Sequence, residues 1–191
     1  MSVKSLLLLI NFVNDYIEDR GVLNHCIEEV HTKHIIKRAN EAINWCRSHQ
    51  IPIVYMNTAF HDNYIDLPLH SPLFKEVKER QALKMNTWGS EIHEEIFRDE
   101  TDTILTKHRI SSFYGTELEQ ILSTHSINTL LIGGVSTSDD VELTAREAHD
   151  RDYYSIILDD LCADRTNANH LLAIENMGRF TKVRKIADLH K

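Results

Sequence analysis

The chain alternates short apolar runs with stretches in which apolar residues recur every three or four positions. The short runs predict six strands, at Leu6 to Ile10, Ile51 to Met56, Thr103 to Thr106, Asn128 to Gly133, Tyr153 to Leu158 and near Phe180 to Val183. The helical spacing predicts helices at Val30 to Ser48, Glu117 to Ser123, Asp139 to Asp150 and Ala168 to Met177. Strands that alternate with helices predict a three-layer α/β/α fold with a mainly parallel sheet. We expect residues 1–191 to form one domain.

Residues 58–100 show the least regular pattern. A short helix from Gly89 to Phe97 is the one element predicted there. The rest is expected to form a loop-rich excursion over the sheet.

The stretch from Leu131 to Ala145 joins a strand to a helix through small residues. Gly133 and Gly134 predict a tight turn with close backbone approach, and the Ser-Thr-Ser run after Val135 offers helix caps. The helix start favours an anion, and the chain itself places Asp140 there. One interpretation is structural, since an acid in a first helical turn gains about 0.3–1 kcal/mol from the helix dipole. The other is that Asp140 carries chemistry.

Ligands of open parallel sheets bind beyond the carboxyl ends of the strands. The predicted strands end at Asn11, Thr58, Lys107, Ser136 to Asp140, and Asp159 to Asp160. Lys107 and Asp140 have opposite charges, and we expect both to face one crevice. A carboxylate paired with a lysine could serve there as a general base or acid.

Composition narrows the function classes. A net charge of −8 with scattered basic residues argues against nucleic acid and favours a small-molecule ligand. Three widely spaced cysteines indicate free thiols, and the N-terminal apolar run is too short for a membrane span, so a cytoplasmic protein is expected.

The spacing of His61, Asp62, Asp66 and His70 fits no zinc pattern, so we expect no metal. Because Gly133-Gly134 lacks the GxGxxG spacing, no cofactor is expected either.

Four segments together resemble the isochorismatase-like superfamily, which includes cysteine amidohydrolases. They are Leu8 to Tyr16, Asn86 to Ile92, Lys107 to Leu118, and Gly134 to Arg146. The resemblance implies a catalytic aspartate after the first strand, a lysine, and a cysteine at a helix start. Backbone amides around a cis peptide, here at Val135, Ser136 and Asp140, would hold the oxyanion.

Matched residue by residue, Lys107 stands at the lysine position, Asn11 at the aspartate position and Asp140 at the cysteine position. An amide at Asn11 cannot accept and return a proton, and Asp140 has no thiol. The resemblance therefore implies the family's fold without thiol amidase chemistry. The metal-binding aspartate of nicotinamidases is also unmatched in the stretch from Thr58 to Asp62.

Two hypotheses follow. In the first, Asp140 acts as base or nucleophile, Lys107 stabilises charge, and Asn11 hydrogen-bonds the substrate or a water. In the second, the chain is catalytically degenerate and acts in ligand binding or assembly. An unrelated α/β binding protein is disfavoured by the four segments. The family implies a homodimer or homotetramer. Within residues 58–100, the side chains predicted to line the pocket are His61, Tyr64 and Trp88.

Overall fold

The structure is a computed structural model that describes residues 4–190, with the side chain of the last of these left aside. Its centre is a six-stranded sheet in the order β3-β2-β1-β4-β5-β6, in which every neighbouring pair is parallel. The strands are β1 (Ser5–Ile10), β2 (Ile53–Thr58), β3 (Thr103–Lys107), β4 (Thr129–Val135), β5 (Tyr154–Ala163) and β6 (Lys182–Arg184). The α/β fold with a parallel six-stranded sheet is thus confirmed.

Helices cover both faces of this sheet. They are α1 (Asn14–Ile17), α2 (Ile27–Thr32), α3 (Ile35–Ser48), α4 (Pro72–Glu79), α5 (Leu118–Thr124), α6 (Glu142–Asp150) and α7 (Asn167–Met177). In β1, Leu7 and Leu9 pack into the core beneath α3, while Leu6 and Leu8 pack into the core beneath α5, α6 and α7. A strand buried on both faces needs apolar side chains at every position, which explains the uninterrupted run of leucines.

Gly133 and Gly134 lie inside β4 and not in a turn, so that expectation is wrong. A Cβ on Gly133 would lie 2.5 Å from the Cβ of Leu161, and one on Gly134 would lie 2.5 Å from the carbonyl oxygen of Ile10. The two glycines therefore permit close approach of neighbouring backbones and side chains. This brings the end of β4 against the end of β1.

Several element bounds differ from the sequence predictions. The helix expected from Val30 to Ser48 is two helices, because His34 between α2 and α3 adopts a left-handed conformation with φ of 54°. The helix expected from Asp139 begins with one π-helical turn, Thr137–Val141, which leads into α6. Strand β5 runs past Asp159 and Asp160 through a register shift opposite Ile132 to Gly134 and ends at Ala163.

The helix expected from Gly89 to Phe97 is also wrong, since only a 3-10 turn, Trp88–Ser90, forms there. Backbone groups that an α-helix would pair internally are used elsewhere. His93 N donates to Phe12 O at 2.9 Å, and Glu91 O accepts from Asn14 N at 3.0 Å. This segment is held against the loop after β1 by tertiary hydrogen bonds, which override local propensity.

Within residues 4–190, no helix combines the length and the apolar character that a membrane crossing requires.

Candidate active site

Lys107, the last residue of β3, is a fully buried cation. Its Nζ donates to the backbone carbonyls of Arg109 at 3.0 Å and Ile110 at 2.9 Å, and to Oδ1 of Asp140 at 2.5 Å. The three acceptors match the three N–H donors of an ammonium group. Asp140 supplies the negative charge that a buried ammonium requires.

Asp140 lies in the π-helical turn after β4, and this turn is anchored by two side-chain contacts. The hydroxyl of Thr137 is 2.9 Å from Nδ1 of His170, whose Nε2 is 2.9 Å from Oδ1 of Asp159 in β5. Ser138 N donates to the buried Asp164 carboxylate at 2.6 Å. None of the Ser-Thr-Ser hydroxyls caps the helix, contrary to expectation, because those of Ser136 and Thr137 bind other partners.

The two carboxylate oxygens of Asp140 have different surroundings. Oδ1 accepts from Lys107, whereas Oδ2 accepts a long hydrogen bond of 3.4 Å from Ser136 N. The side chain is 14% exposed, and that exposure is to a cleft. One oxygen of Asp140 is thus the buried partner of Lys107, while the side chain remains accessible from the cleft.

The peptide bond between Val135 and Ser136 is cis. The carbonyl of Val135 accepts from Nδ2 of Asn11 at 3.0 Å, and the amide of Ser136 is directed at Asp140. Of the backbone positions predicted to hold an oxyanion, the Ser136 amide is therefore the one that meets the Asp140 carboxylate.

Asn11 lies at the end of β1 and is completely buried. Besides its bond to Val135, its Oδ1 accepts from Thr58 N at 3.0 Å and from Thr58 Oγ1 at 2.8 Å. It does not line the cleft, so the expected hydrogen bond from Asn11 to a substrate or water is not supported by its position. Asn11 joins the ends of β1, β2 and β4, and Thr58 is the member of this group that reaches the cleft wall.

The cleft beside Lys107 and Asp140 is small, with a volume of about 40 Å³. That volume suits a few heavy atoms, since a single water needs about 10–15 Å³. Charged groups line one part, and apolar side chains of α4 line another. The charged or titratable members are Lys107, Arg109, Asp139, Asp140, Arg165, His25 and Glu76; the apolar α4 members include Phe74 and Val77.

Two further lining residues, Tyr16 and Cys26, carry protons that are hard to remove. Burial, and then the charge of Asp140, raises the pKa of Tyr16 well above its usual value. Burial is also the main cause that raises the pKa of Cys26 to about 12, with Asp164 adding to it. The other cysteines, Cys46 and Cys162, are buried with pKa values of about 12 for the same reason. The cleft therefore contains a thiol but no thiolate near neutral pH.

The three residues predicted to line the pocket within 58–100 do not line this cleft. His61 pairs with Asp66 at 2.9 Å, and the Tyr64 hydroxyl donates to the carbonyl of Ala82 at 2.7 Å. Trp88 stacks beneath the guanidinium of Arg20, 4.2 Å from its ring centre. The wall is formed instead by α4 and the segment before α2, where no element was predicted.

Among the residues that the structure describes, no three His, Cys, Asp or Glu side chains converge in a way that could hold a metal ion. His61 and His108 both approach Asp66, at 2.9 and 3.3 Å, and the segment His61 to Asp66 is joined to the end of β3 by these contacts.

Comparison with known proteins decides the family. The family described as the isochorismatase domain matches residues 5–188, nearly the whole chain. The chain belongs to the isochorismatase family. The fold described above is thus that of an isochorismatase-family hydrolase domain.

Three relatives illustrate the family's range. Ureidoacrylate amidohydrolase RutB of Klebsiella pneumoniae is 26% identical over 170 residues, covering 82% of this chain and 72% of RutB. An isochorismatase-like hydrolase of Alkaliphilus metalliredigens has a TM-score of 0.84 and 26% identity, covering 98% of this chain and 97% of its own. N-carbamoylsarcosine amidase of Thermoplasma acidophilum has a TM-score of 0.77 and 26% identity, with coverages of 96% and 97%.

Proposed function

We propose that this chain hydrolyses a small molecule with a carboxylate in place of a thiol. Asp140 is the general base that takes a proton from water, and Lys107 is its hydrogen-bonded counter-charge. The observation that carries the proposal is the 2.5 Å hydrogen bond between buried Lys107 Nζ and Oδ1 of Asp140, whose side chain remains partly open to the cleft.

The pairing favours a base over a proton donor. A nearby ammonium stabilises the charged form of a carboxylate, and a charge-assisted hydrogen bond does the same. Oδ2 is the oxygen left for water, because it receives only the 3.4 Å contact from Ser136 N. As a reacting carbonyl develops negative charge, the Ser136 amide could leave Asp140 and donate to that oxygen instead.

The substrate class we propose is a small amide or ureido compound that carries an anionic group. RutB acts on ureidoacrylate, and the Thermoplasma enzyme acts on N-carbamoylsarcosine, as their names state. Arg109 and Arg165 line the cleft and provide positive charge for an anion. The 40 Å³ volume favours a compact reacting group.

Thiol catalysis is not part of this proposal. At the cysteine position implied by the family resemblance stands Asp140, and the cleft's own thiol, Cys26, has a pKa of about 12. At neutral pH the nucleophilic thiolate is almost absent from such a group.

A second candidate is a ligand-binding protein without turnover. The observation in its favour is that Asp140 accepts hydrogen bonds from both the Lys107 ammonium and the Ser136 amide. These two donors, which a substrate would otherwise contact, are therefore already occupied. In such a protein the same cleft would bind a small anion and release it unchanged.

The test is a turnover screen of the wild type with acetamide, N-carbamoylglycine, isochorismate and p-nitrophenyl acetate, in which mass spectrometry detects products. Hydrolysis that is lost in Asp140→Asn and kept in Asp160→Asn supports the proposal. Asp160 is a suitable control because its carboxylate accepts from Ile186 N in another part of the fold. Binding of the panel without products would support the second candidate, and equal activity in wild type and Asp140→Asn would remove Asp140 from the mechanism.

A further inference from the structure

A second carboxylate, Asp139, lies in the same cleft and is not used by the proposed mechanism. It occupies the π-helical turn directly before Asp140. Both carboxylates meet one residue: the Ser136 hydroxyl donates to Oδ2 of Asp139 at 3.2 Å, and the Ser136 amide donates to Oδ2 of Asp140 at 3.4 Å. The hydroxyl and the backbone amide of buried Ser136 therefore each hold one of the two carboxylates.

The two carboxylates differ in how tightly each is paired with a cation. Asp140 has the buried ammonium of Lys107 at 2.5 Å. The cation nearest Asp139 is Arg165, at 3.8 Å, and both side chains of that pair are more than a third exposed. An exposed pair at that distance contributes little. Among the residues that the structure describes, none forms a hydrogen bond to Oδ1 of Asp139.

From this geometry we propose that Asp139 is the catalytic acid that gives a proton to the leaving nitrogen while Asp140 takes one from water. This inference rests on the proposed hydrolysis. Two neighbouring carboxylates, of which one is held by a buried cation and the other only weakly by an exposed one, form an acid and base pair of the kind that hydrolases use.

The protonation of Asp139 is set by several surrounding groups. Burial, and then the negative charge of Asp140, raises the pKa of Asp139, while Arg165 and the hydrogen bond from Ser136 lower it. The net direction is upward, which favours a carboxyl that retains its proton. The charges that bear on it are those of Asp140, Arg165 and Asp164. Tyr16 and Cys26 line the same cleft but keep their protons and are neutral.

The step balances as a hydrolysis. The oxygen of water bonds to the carbonyl carbon, its proton passes to Asp140, and the carbonyl electron pair moves onto oxygen. The C–N bond then breaks, and Asp139 gives its proton to the departing nitrogen. A proton returns from Asp140 to Asp139 through solvent, which leaves a carboxylic or carbamic acid and an amine as products.

The experiment compares two probes that differ in their need for an acid. The departing nitrogen of N-carbamoylglycine leaves only after it is protonated, whereas p-nitrophenyl acetate releases p-nitrophenolate without a proton. Asp139→Asn is expected to lower kcat for N-carbamoylglycine by at least about 100-fold and to leave kcat for the ester within about threefold. Asp140→Asn is expected to lower both. If Asp139→Asn lowers both equally, or lowers neither, the inference is overturned.

A second measurement separates this inference from the proposed function. Hydrolysis of neither probe by the wild type would count against the proposed function itself. Independently, the carboxyl of Asp139 can be titrated by ¹³C NMR in protein with labelled aspartate, with Asp139→Asn to assign its signal. A carboxyl that titrates above the usual aspartate range, and shifts downward in Asp140→Asn, supports the inference. A titration in the usual range overturns it, whatever the kinetics.

Discussion

The ends of β1 and β4 lie side by side at one edge of the sheet, and each carries a residue that departs from the pattern implied by the family resemblance. At the end of β1, Asn11 is fully buried, and both atoms of its amide are bonded to the backbone or to Thr58. In the turn that follows β4, Asp140 is hydrogen-bonded to Lys107 and is still open to the cleft. The comparison indicates that the amide of Asn11 has a structural role, while the charge that remains available for chemistry is at Asp140.

The largest effect is expected from Asp140→Ala. Removal of the carboxylate leaves the Lys107 ammonium buried without a counter-charge, which costs about 3–5 kcal/mol of unfolding free energy. Urea unfolding measures this loss, with Asp160→Ala as the control for removal of a carboxylate elsewhere. A loss of unfolding free energy no greater than that of the control would show that the buried Lys107 ammonium does not need the Asp140 carboxylate as its counter-charge.

A smaller loss of stability is expected from Asn11→Asp. The carboxylate oxygen that replaces Nδ2 would face the carbonyl of Val135, to which Nδ2 of Asn11 donates in the wild type. The lost donor and the repulsion should cost about 1–3 kcal/mol near neutral pH. Because a protonated carboxyl can donate again, the deficit should shrink as the pH falls toward 4. A variant as stable as the wild type at pH 7.5 would contradict the structural role of Asn11.

Asp139→Asn should instead raise thermal stability slightly, and only at higher pH. Since the folded-state pKa of Asp139 is raised, the folded chain holds this proton more tightly than the unfolded chain does. Ionising Asp139 therefore costs stability, and the cost develops as the pH rises past the usual aspartate range. The difference in Tm between variant and wild type should grow from pH 4 to pH 7.5, and a constant difference would contradict the account.

The smallest effect is expected from cysteine alkylation. With pKa values of about 12 for Cys26, Cys46 and Cys162, only about one thiol in 10⁵ is ionised at pH 7. Native protein treated with iodoacetamide at pH 7 should remain unlabelled by mass spectrometry, and its hydrolytic rate should not change. Rapid labelling of Cys26 together with loss of turnover would point to a thiol mechanism.

The apolar pattern predicted the sheet, its parallel strands and the meeting of Lys107 with Asp140. These features follow from strand periodicity and from the rule that parallel strands end at one edge. The role of Asn11 could not be predicted in the same way. Which polar groups its amide would meet depends on the backbone of β4, which approaches β1 closely because Gly134 lacks a side chain.

The cleft wall was missed for a different reason. Tyr16 belongs to α1, a helix of four residues that is too short for a periodic pattern. Helix α4 did leave a signal, since Pro72 follows Ser71 at a helix start and Phe74 and Val77 are three residues apart. No sequence pattern predicted a role for Asp139, because its difference from Asp140 in ion pairing comes from the position of Lys107 in three dimensions.

The central claim is that Lys107 and Asp140 act as one unit, and a double-mutant cycle on kcat/KM tests it most directly. Lys107→Met, Asp140→Asn and the double variant are compared with wild type on the panel substrate that the wild type hydrolyses best, after unfolding curves show that each is folded. Each single substitution should lower kcat/KM by about 10²–10⁴, and the double variant should be about as impaired as the worse single one. Losses that multiply in the double variant would show that the two residues act independently, and would contradict the account.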